Sequence, residues 1–229
     1  MIRHVFFDLD HTLWDFDANA AVTLRALYAA HGFGQWFAED DFVTTYTRIN
    51  HAAWDRFHRG EISQQQLRGS RFTDTFRALG ADPAHVPADF GETFIADCST
   101  RTGTLPHAHA VLTELARRGY ALHIVTNGFR DTQHRKLAAA RLAGFFREVI
   151  TTDCTGHAKP DPRIFHHALA RAGATAAESW MVGDSLAADA LGALAAGWAA
   201  GVWFNPARAP RTEAVTHEIA DLRELLVIL

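Results

Sequence analysis

Ile2-Arg3-His4-Val5-Phe6-Phe7-Asp8-Leu9-Asp10-His11-Thr12 carries the clearest structural signal in the chain. A short apolar run that ends abruptly in acidic residues reads as a buried parallel strand with chemistry at its carboxyl end. Similar runs recur at 121–125, 148–151, 179–182 and 199–204. Helical patterns lie between the later runs: Val111, Leu112 and Leu115; Ile164, Phe165, Ala168 and Leu169; and residues 186–196. Gly119, Gly144, Gly173 and Gly197 stand where those helices should stop, and Asp161-Pro162 reads as an N-cap followed by proline at the first helical position. The alternation predicts an α/β fold with a doubly wound parallel sheet. Residues 205–210 read as a proline-marked loop, 215–219 as an edge strand and 221–229 as a final helix.

Residues 15–101 break this rhythm. No convincing strand occurs there, and apolar residues recur at helical spacing, with Phe42, Tyr46, Ile49, Ala53 and Phe57 as one stripe and Phe72, Phe76 and Leu79 as another. About four helices are expected, inserted directly after the first strand as a cap domain over 15–101. Residues 1–14 and 102–229 then form the α/β catalytic core.

Composition narrows the function. The chain has 229 residues, 48% hydrophobic and 21% charged, enough for a substantial core without disulfides or structural metals. Its net charge of −4 comes without any basic block, which argues against a nucleic-acid polymer as partner. The apolar run at the N-terminus is too short for a signal peptide and no later segment approaches a membrane span, so a cytoplasmic protein with no membrane partner is expected. Cys98 and Cys154 are isolated and read as incidental thiols. The histidine pairs His107/His109 and His166/His167 lack metal-ligand spacing and read as solvated. Basic residues comprise twenty arginines and only two lysines, Lys136 and Lys159. A lysine retained against that bias deserves scrutiny, because a compact ammonium differs chemically from a planar guanidinium.

Ligands of open α/β sheets sit beyond the carboxyl ends of the strands. Those ends offer Asp8 and Asp10, then Thr126-Asn127-Gly128, then Lys159-Pro160, then Gly183-Asp184-Ser185 with Asp189. Two carboxylates two residues apart can divide labour, one attacking and one shuttling a proton. Asp184 adds negative charge, so a phosphate could approach only with a hard divalent cation, for which magnesium is suited. Thr126 and the backbone N–H groups of Asn127 and Gly128 can hold phosphate oxygens, with Gly128 permitting close approach. Lys159 supplies positive charge to a transferring phosphoryl group.

These motifs, in this order, resemble the haloacid dehalogenase-like superfamily of phosphohydrolases. Asp8, Asp10 and Thr12 match its Asp-x-Asp-x-Thr motif, Thr126 its second motif, Lys159 with Pro160 its lysine motif, and Gly183, Asp184, Ser185 and Asp189 its acidic motif. The resemblance implies that Asp8 attacks phosphorus to give an aspartyl-phosphate. Asp10 then acts as acid and afterwards as base. Mg2+ is implied at Asp8, the Asp10 backbone and Asp184, with Asp189 supporting the metal or Lys159. Asp15-Phe16-Asp17, Gly60-Glu61-Ile62-Ser63, Leu67, Arg71-Phe72 and Thr126-Asn127-Gly128-Phe129 further resemble the pyrimidine 5′-nucleotidases of the superfamily. Thr152 to His157 depart from the Glu-Glu-x-Gly-type stretch usual there. The narrower likeness implies a nucleoside 5′-monophosphate as the small-molecule substrate. Thr12, Trp14, Asn50, Trp54 and Arg71 are the further candidate substrate contacts, although Trp14, Trp54 and Phe57 also suit a core, and Asn50 and Arg71 a polar surface. The alternatives are a sugar- or acid-phosphate phosphatase such as one for phosphoglycolate, a phosphomutase, or an inactive binding scaffold.

Overall fold

The computed structural model describes the backbone of residues 1–229 and every side chain except those of His58, Gln64 and Arg68. Strand β1 (His4–Phe7) is followed by four helices, α1 (Phe16–His31), α2 (Glu39–His58), α3 (Gln64–Ala78) and α4 (Phe90–Cys98). Alternation then begins with α5 (Ala108–Arg117), β2 (Ala121–Thr126), α6 (Arg130–Ala139), β3 (Phe146–Thr151), α7 (Thr152–Thr155) and α8 (Pro162–Ala172). Next come β4 (Ser179–Gly183), a π-helical turn over Leu186–Leu191, α9 (Gly192–Ala195), β5 (Ala200–Phe204), β6 (His217–Ile219) and α10 (Leu225–Ile228). Two compact units result: Met1–Phe16 with Thr102–Leu229, and Asp17–Arg101.

The first unit is an α/β domain built on a six-stranded, wholly parallel sheet in the order β3-β2-β1-β4-β5-β6. β1 sits at its centre, with Phe7 beside Ile124 of β2 on one side and Val182 of β4 on the other. The strand order reverses here, and such switch points open a crevice at the carboxyl ends. Phe6, Val125, Ile150 and Met181 from the sheet pack with Ile164, Phe165 and Ala168 of α8 and with Trp198. Asp161 caps the Arg163 amide at the start of α8, and Gly173 closes that helix in the left-handed conformation at φ 62°. Gly144 does not end a helix as expected; it lies inside a 3-10 turn over Ala143–Phe145. The final segment is likewise tighter than expected, a 3-10 turn over Leu222–Glu224 leading into α10.

The second unit is helical. Phe33, Phe42, Phe76 and Phe90 form an aromatic cluster, as do Tyr46, Phe72 and Phe94. Ser63 and Gln66 close a capping box that starts α3. The polar-surface reading of Asn50 and Arg71 is corrected here, because both are buried and Arg71 Nη1 donates to Asn50 Oδ1 at 2.7 Å. The inward face of α2 runs through Phe42, Tyr46, Asn50 and Ala53, so Ile49 is left half-buried and Asn50 takes the interior position. Trp54 and Phe57 pack in part against Ala53, Ile62 and Leu67. No helix among the described residues is long and apolar enough to cross a membrane.

Candidate active site

Asp8 leaves β1 with its amide still paired to the Val182 carbonyl at 2.9 Å, so its side chain starts from the rigid centre of the sheet. The chain then coils tightly, with the amides of Leu13 and Trp14 both donating to the Leu9 carbonyl. His11 takes a left-handed φ of 62° within that coil. Thr12, fully buried, faces Asp184: its hydroxyl donates to Asp184 Oδ1 at 3.2 Å and accepts from the Asp184 amide at 3.0 Å. It therefore orients Asp184, which departs from its expected place at the substrate. Trp203 Nε1 donates to the Asp184 carbonyl at 2.8 Å and secures the same residue from β5.

Lys159 is the hub. Its ammonium donates to Asp8 Oδ1 at 2.7 Å, to the Val125 carbonyl at 2.7 Å and to Asp189 Oδ1 at 2.5 Å. An ammonium has three donors, and all three are satisfied inside the protein. Asn127 holds the Lys159 backbone with its side chain. Asp189, on the π-helical turn, uses its second oxygen to accept from the Ser185 amide at 3.0 Å. That carboxylate lies so close to the strand that a Cβ on Gly183 would stand 2.1 Å from Asp189 Oδ2.

Asp10 points to a different lysine. Lys136 Nζ donates to both of its oxygens, at 2.6 and 2.8 Å, and Gln133 Nε2 donates to Oδ2 at 2.9 Å. The same Gln133 nitrogen donates to Thr126 Oγ1 at 2.7 Å, which also accepts from the Gly128 amide at 3.1 Å. The Gly128 N–H is thus engaged by Thr126. Its lack of a side chain serves Gln133, since a Cβ there would fall 2.1 Å from Gln133 Nε2. Neither Gln133 nor Lys136 emerges as a site residue from sequence alone. The available signal is that Lys136 is the only other lysine and stands three residues after Gln133 on the helix leaving the Thr126 strand end.

Charge and burial explain the electrostatics. Burial pushes the Asp8 carboxyl well above the usual range; Lys159 pulls it back, while Asp189 and Asp184 push it further up. Asp184 is pushed up to about 6, first by burial and then by Asp189. Burial alone pulls the Lys159 ammonium down, but Asp189 and Asp8 outweigh it and raise it above an ordinary lysine. Asp8, Asp184 and Asp189 bring carboxylate oxygens within 4.8 Å of one another against the single charge of Lys159. A cluster of three carboxylates and one ammonium carries a formal excess of two negative charges, which suits one hard divalent cation. Asp189 has both oxygens engaged, so Asp8 and Asp184 are the carboxylates able to hold it.

The remaining expected contacts are dispersed. Trp14 is fully buried and lies beside Lys136 and Phe16. Asn50 and Arg71 point into the helical unit, and Trp54 is half-buried there.

Residues 2–197 match the haloacid dehalogenase-like hydrolase family, and the chain belongs to that family. It is therefore a hydrolase of the α/β class with an acidic, lysine-centred crevice at a sheet switch point. It is 32% identical to the pyrimidine 5′-nucleotidase PynA of Streptococcus pneumoniae, across 98% of this chain and 93% of that one. Identity to the pyrimidine 5′-nucleotidase YjjG of Escherichia coli is 31%, across 98% and 96% of the two chains. The crystal structure of the hydrolase YfnB of Bacillus subtilis, bound to magnesium, aligns with a TM-score of 0.87 at 28% identity, covering 99% of this chain and 98% of that one.

Proposed function

We propose that this chain is a magnesium-dependent phosphomonoester hydrolase that works through a phosphorylated Asp8 and takes nucleoside 5′-monophosphates as substrates. The observation that carries the reading is the Lys159 ammonium held between Asp8 and Asp189 in a buried acidic crevice. Asp8 attacks phosphorus while the ester oxygen leaves with a proton from Asp10. A water molecule, deprotonated by Asp10, then attacks the aspartyl-phosphate, releasing phosphate and restoring Asp8. Lys159 keeps positive charge beside Asp8 throughout, and Asp189 keeps Lys159 in place. Asp8 and Asp184, with the Asp10 backbone carbonyl, would hold magnesium, which when bound supplies the charge that lets a dianionic phosphate enter.

In this reading the unit Asp17–Arg101 is a cap that discriminates among leaving groups. The nucleotide assignment is supported by the two nucleotidase relatives, similar over nearly the whole chain. Among the expected cap residues, Trp54 alone keeps part of its side chain exposed for a base. The test compares uridine and thymidine monophosphates with phosphoglycolate and hexose phosphates in the presence of magnesium. The nucleotides are expected to lead in kcat/KM by about tenfold or more, the scale of one base–aromatic stack. An equal lead for a sugar or acid phosphate overturns the nucleotide assignment and leaves the phosphoaspartate mechanism standing.

A further inference from the structure

Helix α6 leaves the sheet directly after Thr126-Asn127-Gly128-Phe129, and Gln133 and Lys136 stand three residues apart, one above the other on one helix face. Three N–H groups from this pair converge on the Asp10 carboxylate: two from Lys136, one to each oxygen, and one from Gln133. A single ion pair fixes a distance, whereas three donors on two oxygens fix the distance and the plane of the carboxylate. Lys136 cannot lean away. Its nitrogen lies 4.6 Å from the centre of the Trp14 ring and 5.3 Å from that of Phe16, and the residue is buried.

Gln133 spends its other amide proton on Thr126. The Thr126 oxygen then accepts from two donors, Gln133 and Gly128, so its own proton is left to point elsewhere. The orientation of the Gln133 amide is dictated by its neighbours, since turning it over would set Oε1 against the Asp10 carboxylate. In the orientation observed, Oε1 is buried without a hydrogen-bond partner. A buried orphan acceptor is destabilising, so the gain that keeps glutamine here lies in what its nitrogen holds.

We propose that Gln133 and Lys136 are positioning residues for proton transfer, aiming Asp10 at the leaving-group oxygen and later at the attacking water, and that Gln133 ties this aim to the Thr126 hydroxyl. The inference rests on the assignment of Asp10 as proton shuttle made above.

The test pairs two esters: p-nitrophenyl phosphate, whose leaving group departs as a stable anion, and whichever alkyl phosphate the wild-type enzyme turns over fastest. In Lys136→Met, kcat/KM, which covers steps through phosphorylation of Asp8, should fall about 100-fold for the alkyl ester and less than about tenfold for the aryl ester. With the aryl ester, acid-quenched Lys136→Met should carry phosphate on Asp8 by mass spectrometry, because the second step also lacks an aimed base. Gln133→Met should show the same split. Equal losses for both esters in a folded variant overturn the proposal while wild-type turnover keeps the phosphatase reading intact. If neither variant folds, the pair is structural and the proposal is overturned. Absence of wild-type turnover of any phosphate ester overturns the phosphatase reading and this inference with it.

Discussion

Asn127 grips the backbone of Lys159 from both sides: its Oδ1 accepts from the Lys159 amide at 2.7 Å and its Nδ2 donates to the Lys159 carbonyl at 3.0 Å. The side chain of a residue expected to offer its backbone N–H to a phosphate thus fixes where the Lys159 side chain begins. Asn127→Ala leaves a buried amide and a buried carbonyl unpaired, each pairing worth about 1 kcal/mol net. The melting midpoint should drop by roughly 4–8 °C, and kcat/KM should fall by about 10- to 100-fold as Lys159 shifts. Calorimetry and steady-state kinetics check both. Unchanged kinetics beside a lowered midpoint would show that the grip is structural only.

Lys159→Arg should reduce kcat/KM by about 100-fold or more although charge is conserved. One nitrogen meets Asp8, Asp189 and the Val125 carbonyl together, and a planar guanidinium cannot aim three donors from a single point. The residue is buried, which leaves little room for a wider head group. Arginine is abundant elsewhere in the chain, so equal activity in the two forms would demote Lys159 to a replaceable cation.

Magnesium should both activate and stabilise the protein. The carboxylate oxygens of Asp8, Asp184 and Asp189 crowd within 4.8 Å, and a bound cation relieves that repulsion. At a hundredfold excess over Kd the gain is about 2.7 kcal/mol, or roughly 5–10 °C in the melting midpoint. Asp184→Asn should abolish most of this shift, and chelator should remove activity. A metal-independent midpoint together with full activity in EDTA refutes the metal assignment.

Acid should loosen the sheet through two facing histidines. His4 Nδ1 and His123 Nε2 lie 3.1 Å apart on adjacent strands, so one must accept the other's proton, and two imidazolium rings cannot share that contact. Burial, then His4 and Arg147, pushes His123 down to about 4; burial lowers His4 as well, with Arg147 and Arg3 adding to the effect and Glu178 opposing it. A histidine depressed in the fold is protonated more readily in the unfolded chain, so stability is full above the ordinary histidine range near 6.5 and is lost as pH falls from there through about 4. The part of the melting midpoint that depends on His123 should therefore fall across that window, against the opposite contribution of Asp184, whose raised carboxyl gains stability as pH falls through about 6. His123→Phe, next to the Phe6 ring at 4.5 Å, should flatten the slope. Parallel slopes in the two proteins would clear His123 of this role.

The positions of the strands along the chain and the residues at their carboxyl ends are legible in sequence because both depend on local signals, whereas the order of the strands in the sheet is not. An apolar run ending in Asp8-Leu9-Asp10 marks a strand end without help from the rest of the chain. Partners across the fold carry no such signal. Asn50 and Arg71 resemble ordinary polar residues on helices, and only the packing of α2 on α3 turns them into a buried pair. Gly128 looked like a residue cleared for phosphate, yet the group occupying the space is Gln133, five positions further along. Rarity and a place beside Pro160 at a strand end mark Lys159, but nothing local places Lys136 on Asp10.

The place of β1 in the sheet sets the order in which the molecule can be completed during synthesis. His4 pairs with Ala121 and with Ser179, so β1 leaves the ribosome before both of its neighbours and waits for them. Its Val5-Phe6-Phe7 run stays uncovered while the whole of Asp17–Arg101 is made. Pairings this distant in sequence close slowly, and exposed strand edges attract non-native partners in the meantime. The nascent chain is consequently vulnerable at β1, and the strand that ends at Asp8 is flanked on both sides only once β4 has emerged.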